Sequence, residues 1–421
     1  MQIKDIDTRL LTKMSRIKRK PNLGGDPEFF IGTKDGKILS ADKFFPSKHD
    51  PILIGAKSAA DGAKTSKLFF DGIQAEMAVC HNTCREYFAD NIRTVLSSIV
   101  CKIGKDHDIV VKPSVKINKS VINNADPEAR IFGCEPDFNA YTCTTNTEEM
   151  DASEHPFRYA GGHIHLGVSS PYLKQNDPEY KVAMVPEGHL RIIKFLDLIV
   201  GIPSVLLDNS TAAKRRRLKY GKAGCFRPTP YGVEYRTLSC WWLKSAMTMS
   251  FVYGLARLGW SILISEADED FRKAIGADEE MVRDIIDTGD REAALKLWDK
   301  VRPYLAMMAD YSSNPISVRA FKLDGRQVGC VSEYYNGSEP LKIVPQYGEK
   351  TLGKPVFALA AFEYMVKKGL KKIISNDIRK EWHLHSGNSF AYRNGFKNGS
   401  FYRLRHDADF KKFQASFLKA V

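Results

Sequence analysis

The 421-residue chain lacks the motifs that most often mark a nucleotide or redox site. No GxxxxGK(S/T) segment is present, which excludes a Walker-type phosphate loop, and no GxGxxG joins a strand to a helix, which excludes a Rossmann site. The eight cysteines form no CxxC pair and no leader-like stretch precedes them. Zinc-ribbon and disulfide frameworks therefore drop out, and free thiols in a reducing, cytoplasmic compartment are predicted. The serines of "GVSS" and "DNS" belong to no nucleophile elbow. There is no clean membrane span either. Asp197 and Pro203 interrupt "FLDLIVGIPSVLL", and Arg257 and several hydroxyls dilute "AMTMSFVYGLARLGWSILI", so both read as core helices. No internal repeat or low-complexity block is visible.

What is present suits a globular protein with one or two cores: 43% hydrophobic residues and a formal charge of +13. The charge draws anions of any kind, from nucleotides and nucleic acid to acidic peptides and cell-wall polymers. Residues 1–21 form a basic arm containing "KMSRIKRK". From Gly24 the pattern is rich in strands: "DPEFFIG", "LFFDGIQAEMAV", "GCEPDFNAY", "GGHIHLGV" and "GVEYRTLSCWW". Helices are expected near Pro186 to Val200 and Ser245 to Ser265. The order predicts an α+β domain over residues 22–267 built on one antiparallel sheet. Beyond Asp268 charged helical segments begin, which predicts a mainly helical, basic C-terminal region over 268–421.

Side chains two apart on a strand share a face, so short pairs of acids or histidines can deliver two groups to one site. Asp26 and Glu28 do so across Pro27, although taken alone the pair reads more readily as a solvated edge with one acid capping a turn. Glu76 follows an Asp71-Gly72 turn signal and sits among apolar residues, where a carboxylate needs a partner such as a metal. Glu135 and Asp137 repeat the acid-Pro-acid shape and fit a ligand site or a simple turn. His163 and His165 share one face of "GGHIHLG", while Ile164 and Leu166 take the other. Glu234 and Arg236 pair an acid with a guanidinium, as a cross-strand salt bridge would.

Upstream of that last pair lies "KRRRLKYGKAGCFRP", a glycine-interrupted cationic segment with Arg215, Arg216, Arg217, Lys219, Lys222 and Arg227. Guanidinium forks match phosphate oxygens, and glycine lets backbone N–H groups approach them. An oxygen-rich site with one imidazole suits Mg²⁺ or Mn²⁺ better than zinc. The inventory is that of an enzyme handling a metal-bound polyphosphate.

The order of these motifs resembles the glutamine synthetase and glutamate–cysteine ligase superfamily, most closely the phage-encoded COOH-NH2 ligases of type 2. "GGDPEFF", "AGGHIHLG", "RRRLKYGKAGCFR" and "GVEYRTL" carry the resemblance, over roughly residues 22 to 265. It implies an ATP- and Mg²⁺-dependent ligase joining a carboxylate to an amine through an acyl phosphate, on the concave face of an antiparallel sheet. By the same analogy Glu28 and Glu76 hold one metal, and Asp26, His163 and Glu234 another. Arg236, with Arg217 or Arg227 and Lys222, contacts phosphate, and His165 touches phosphate or substrate or supports its neighbour. Glu135 or Asp137 takes the amine's proton. Asp26 stands where relatives often have Glu. The substrates are left open: a peptide, a cell-wall or other polymer, a modified base or a small metabolite, reached in a host cytoplasm if the chain is phage-encoded. A nucleic-acid-associated accessory protein and a metal-dependent hydrolase using both histidines are the competing readings.

Overall fold

The computed structural model describes residues 10, 21–56, 65–83, 85–131, 137–146, 152, 155–168, 173–311, 321–323, 326–328, 355–382, 384 and 400–420. The basic stretch 13–20 and Glu135 lie outside the described residues.

The chain lays down β1 (Asn22–Thr33), β2 (Ile38–Leu39), β3 (Ile52–Gly55), β4 (Thr65–Asp71), β5 (Gln74–Asn82), β6 (His107–Val110) and β7 (Ser114–Lys116). After these come β8 (Asp137–Asn139), β9 (Thr144–Asn146), β10 (Phe157–Tyr159), β11 (Gly162–Gly167), β12 (Cys225–Thr229) and β13 (Gly232–Tyr235). All but β7 and β10, which pair with each other, join an 11-stranded sheet with the order β3-β4-β5-β1-β11-β13-β12-β8-β9. Strands β2 and β6 pair with the far half of β1. The strand pairings in the sheet are antiparallel. The α+β expectation with one large antiparallel sheet holds. The Asp71-Gly72 turn joins β4 to β5 as its sequence predicts, with Gly72 at φ +61°.

One face of the sheet is covered by helices. Ile164 on β11 packs toward Phe88, Trp242 and Met249, so the alternate residues His163 and His165 are turned to the opposite face. Helix Ala246–Ile264 starts at Ser245, whose hydroxyl accepts the Thr248 N–H at 3.2 Å in a capping box. It is long and apolar enough to cross a membrane by composition, yet 89% of that stretch is buried inside the protein, as expected of a core helix.

Between helices Pro186–Leu196 and Ile202–Leu207 the chain makes one wide π turn, Asp197–Gly201. The turn sets Asp197 under the sheet, where it accepts Tyr235 Oη at 2.6 Å, Thr237 Oγ1 at 3.1 Å and the Gly224 N–H at 2.7 Å. One buried carboxylate thereby ties the start of β12 to the end of β13, the two strands that carry Arg227 and Glu234.

The helices beyond residue 268 share this core. Phe362 stacks on Phe251 at 4.0 Å between ring centroids, Trp382 Nε1 donates to the Leu243 carbonyl at 2.7 Å, and the buried apolar cluster runs continuously from the first strand to Phe410. The change of sequence texture at 268 thus marks no break in packing. The region is mainly helical among its described residues, with one short pair, Phe321–Leu323 and Arg326–Val328.

Candidate functional site

Cross-strand register brings the acids and histidines together. Asp26 faces His163 across β1 and β11, His165 faces Glu234 across β11 and β13, Glu234 faces Arg227 across β13 and β12, and Glu28 faces Glu76 across β1 and β5. The alternation read from the sequence thus becomes a single patch spanning five adjacent strands. His165 Nε2 lies 3.1 Å from Asp26 Oδ2, and His163 Nδ1 lies 3.4 Å from Asp26 Oδ1 and 3.2 Å from Glu234 Oε1. Arg227 Nη1 stands 3.6 Å from Glu234 Oε2.

Arg236 reaches the patch from just beyond β13. Its Nε pairs with Asp137, one Nη pairs with Glu234, and the other donates to Tyr220 Oη at 2.9 Å. The guanidinium is committed to these three groups, so it positions two acids rather than presenting an open fork. Tyr220 is a residue the sequence reading passed over. Its hydroxyl meets His163 Nε2 at 2.7 Å and donates to Glu28 Oε1 at 3.3 Å, joining three strands at one atom. Nothing in "LKYGK" marks it beyond a tyrosine beside a glycine. We expect Tyr220→Phe to lower the unfolding free energy by about 1–3 kcal/mol, the cost of leaving buried polar partners unsatisfied, measured by urea denaturation at neutral pH.

The two glycines before His163 are sterically required. A Cβ on Gly161 would stand 2.2 Å from His163 Nε2, and one on Gly162 would stand 2.2 Å from the Ser239 carbonyl oxygen. Their N–H groups are used too: Gly161 donates to Glu28 Oε2 at 2.7 Å, and Gly162 to the Leu238 carbonyl at 2.9 Å.

Charge in the patch is unbalanced. Burial pushes the Asp26 carboxyl up, but His165 and His163 more than offset this and hold it well below the usual range. Glu234 is likewise pushed up by burial and by Asp26, yet His163 and Arg236 bring it down to about 2. Burial raises Glu28 despite His163. Glu76 is driven well above its ordinary value by burial and then by Asp26, Glu28, Asp71 and Glu234. Both histidines resist burial and stay protonated to higher pH than usual because Asp26 faces them.

Atoms from Asp26, His165 and Glu234 lie within 4.8 Å of one another, close enough to share one cation with bonds of about 2.0–2.4 Å. Asp26 Oδ1 and His165 Nε2 are buried without an aligned hydrogen bond, which a cation would remedy. Two carboxylates and one imidazole, with Glu28 and Glu76 alongside, fit a hard divalent ion. The choice of imidazole differs from the sequence reading. The resemblance implies His163 for this ion; its Nε2 meets Tyr220 while its Nδ1 faces Asp26 and Glu234, and His165 is the histidine in the converging trio.

Other predicted residues lie elsewhere. Arg217 is buried, donates to the Asp208 carbonyl at 2.9 Å and sits 3.9 Å from its carboxylate, so its guanidinium is turned to the chain and not to the patch. Lys222 stands by Asp287, which accepts the Ala223 N–H at 2.7 Å. Arg216 is spent on the carbonyls of Thr237 and Leu238 at 2.9 and 2.8 Å. Arg216 and Arg217, on the buried face of helix Thr211–Lys219, are therefore structural, while Arg227 stays at the rim of the patch. Asp137 is in place beside Arg236; Glu135 is outside the described residues.

No curated protein matches the chain. Among solved structures it is similar to a bifunctional glutathione synthetase from Pasteurella multocida, with 11% identity and a TM-score of 0.42. That similarity covers 97% of this chain, which spans 57% of the synthetase's length. Residues 181–323, which include Tyr220, Arg227, Glu234 and Arg236 but not the acids of β1 and β5, match the family model described as phage phiEco32-like COOH.NH2 ligase type 2. This is the family whose motif order the sequence resembles, and it places the matched segment among the carbon–nitrogen ligases.

Proposed function

We propose that the protein is an ATP-dependent ligase that joins a carboxylate to an amine through an acyl phosphate, on a glutamine-synthetase-like sheet with Mg²⁺ bound at the patch. The observation that carries this reading is the convergence of Asp26, Glu28, Glu76, Glu234 and both histidines on one sheet face, next to Arg227 and Arg236. Joining a carboxylate to an amine in water is uphill, since both partners are charged and an oxide is a poor leaving group. Transfer of the γ-phosphoryl group to the carboxylate oxygen releases ADP. Attack of the amine on the acyl carbon then expels phosphate and forms the amide.

Asp26, His165 and Glu234 would hold one cation, with Glu28 and Glu76 beside a second. Bound there, Mg²⁺ would neutralise charge on the transferring phosphoryl group. Arg227, partly exposed at the rim of the patch, is placed to meet phosphate oxygens. Arg236 and Tyr220 hold Glu234, Asp137, His163 and Glu28 in fixed positions. Glu135 or Asp137 would take the proton of the attacking amine, and Asp137 stands beside Arg236 at the edge of the patch.

The test is release of ADP and phosphate by the purified protein with Mg²⁺, ATP, a panel of acids and an amine. Release that requires both acid and amine is expected. Binding of Mg²⁺ with no measurable ATP affinity would sink the reading, and turnover without nucleotide would favour a hydrolase.

A further inference from the structure

The sheet face that carries the acids is divided by charge. Asp71, Glu76, Glu28, Asp26 and Glu234 occupy one part. Beside His165 the same face opens into a cavity of about 390 Å³ whose lining includes Thr65, Lys67, His81, His165 and Tyr231 and contains no Asp or Glu among the described residues. Gly24 forms part of its floor. A Cβ there would meet His81 Cβ at 3.4 Å and His165 Cβ at 3.5 Å, so two imidazoles flank a strand that is bare between them. Tyr231 stacks on His165 with centroids 6.1 Å apart and rings 18° from parallel, and its hydroxyl meets His165 Nδ1 at 2.6 Å. Lys67 is exposed, and its spacing from Asp71 along β4 puts the two on the same face. From His165 to Lys67 the sheet spans three strand spacings, roughly 14 Å at the backbone.

We infer that this cavity receives the acid substrate and that Lys67 selects acids carrying a second anionic group at the far end. The inference rests on the ligase reading and names what that reading leaves open. His165 is both a wall of the cavity and one corner of the trio with Asp26 and Glu234. An acid whose reacting carboxylate lies at the trio therefore extends past His165 into the cavity, and its other end meets the Lys67 ammonium. The bare backbone at Gly24 lets such a molecule lie close to the strand. The charge pattern also separates the two substrates. A protonated amine is drawn to the acids and repelled by Lys67, whereas an anionic tail finds the opposite.

The test measures binding of glutarate and adipate against pentanoate and hexanoate, by NMR with Mg²⁺ and no nucleotide, to the wild type, Lys67→Ala and Lys67→Glu. Thermal unfolding verifies that the variants keep the fold, as an exposed residue should allow. Hydroxamate formation with ATP and hydroxylamine is followed on the same acids. The wild type is expected to prefer the dicarboxylates about tenfold, and Lys67→Glu to abolish that preference without weakening the monoacids. Loss of the preference in Lys67→Glu supports the cavity assignment even where no acid supports ATP cleavage, in which case the ligase reading alone fails. Absence of dicarboxylate binding, or a preference that Lys67→Glu leaves intact, overturns the assignment even where ATP-dependent hydroxamate forms.

Discussion

Glu76→Gln is expected to make the fold more stable while removing cation binding. Glu76 stands opposite Glu28 across β1 and β5, and burial followed by four other carboxylates pushes its pKa well above the ordinary value. An acid raised in this way contributes most to stability when protonated at low pH, and the contribution is lost as pH rises through its folded value. At pH 8 the unliganded wild type must either keep this anion buried or take up a proton on folding, a cost that glutamine removes, so the variant should melt a few degrees higher. At pH 4 the difference should vanish. Glu234→Gln should do the reverse to the fold. Glu234 is held down to about 2, so it contributes roughly 3 kcal/mol above pH 4.5, a contribution lost as pH falls toward 2. Both variants should lose Mg²⁺ affinity and ligase turnover by on the order of 100-fold or more. Calorimetry with and without Mg²⁺ at pH 4 and 8, beside ADP release, gives both readouts. Opposite shifts in melting with a shared loss of function distinguish a patch built for a cation from one built for stability. A Glu76→Gln protein that melts lower, or that binds Mg²⁺ as before, contradicts the assignment.

Much of this patch can be read in the sequence because strand alternation is a local rule. Asp26 with Glu28, His163 with His165, and Glu234 with Arg236 each share a face by spacing alone, and the structure joins them through register. Register is a long-range property, and so the pairing of Glu28 with Glu76 and of His165 with Glu234 could not be read. Pro27 points to a strand start or an edge, yet β1 lies between β5 and β11. The cationic segment misleads for another reason. Arginines look alike in sequence whether they face phosphate or cap carbonyls inside the protein, and Arg216 and Arg217 do the latter. Tyr220 carries no local sign at all, because its role depends on three strands meeting. The buried faces of the later helices, with Trp298, Phe362 and Trp382, continue the same core.

Asp197 sets the second large effect, and it concerns stability rather than chemistry. It is fully buried in the π turn, and burial raises its pKa to about 7, with the hydrogen bonds from Tyr235, the Gly224 N–H and Thr237 offsetting part of the rise. Relative to an unfolded value of 3.8, the protonated form favours folding. That contribution is complete below pH 3.8 and is lost as pH rises through 7, where the anion must stay buried. The shift corresponds to about 4 kcal/mol across this window. Urea denaturation should show the wild type losing stability from pH 4 to pH 8 through this group, and Asp197→Asn, which cannot ionise, should flatten the profile. The variant is expected to be less stable at pH 4, where an amide N–H is forced against the Gly224 donor, and to draw level with or exceed the wild type at pH 8. Asp197→Ala should cost about 3–5 kcal/mol at pH 5, since Tyr235, Thr237 and Gly224 all lose their acceptor. These groups lie at the ends of β12 and β13, so the same substitution should loosen Arg227 and Glu234 and weaken Mg²⁺ binding although Asp197 touches neither. A pH profile unchanged by Asp197→Asn would show that the carboxylate stays ionised throughout, held as an anion by its three donors.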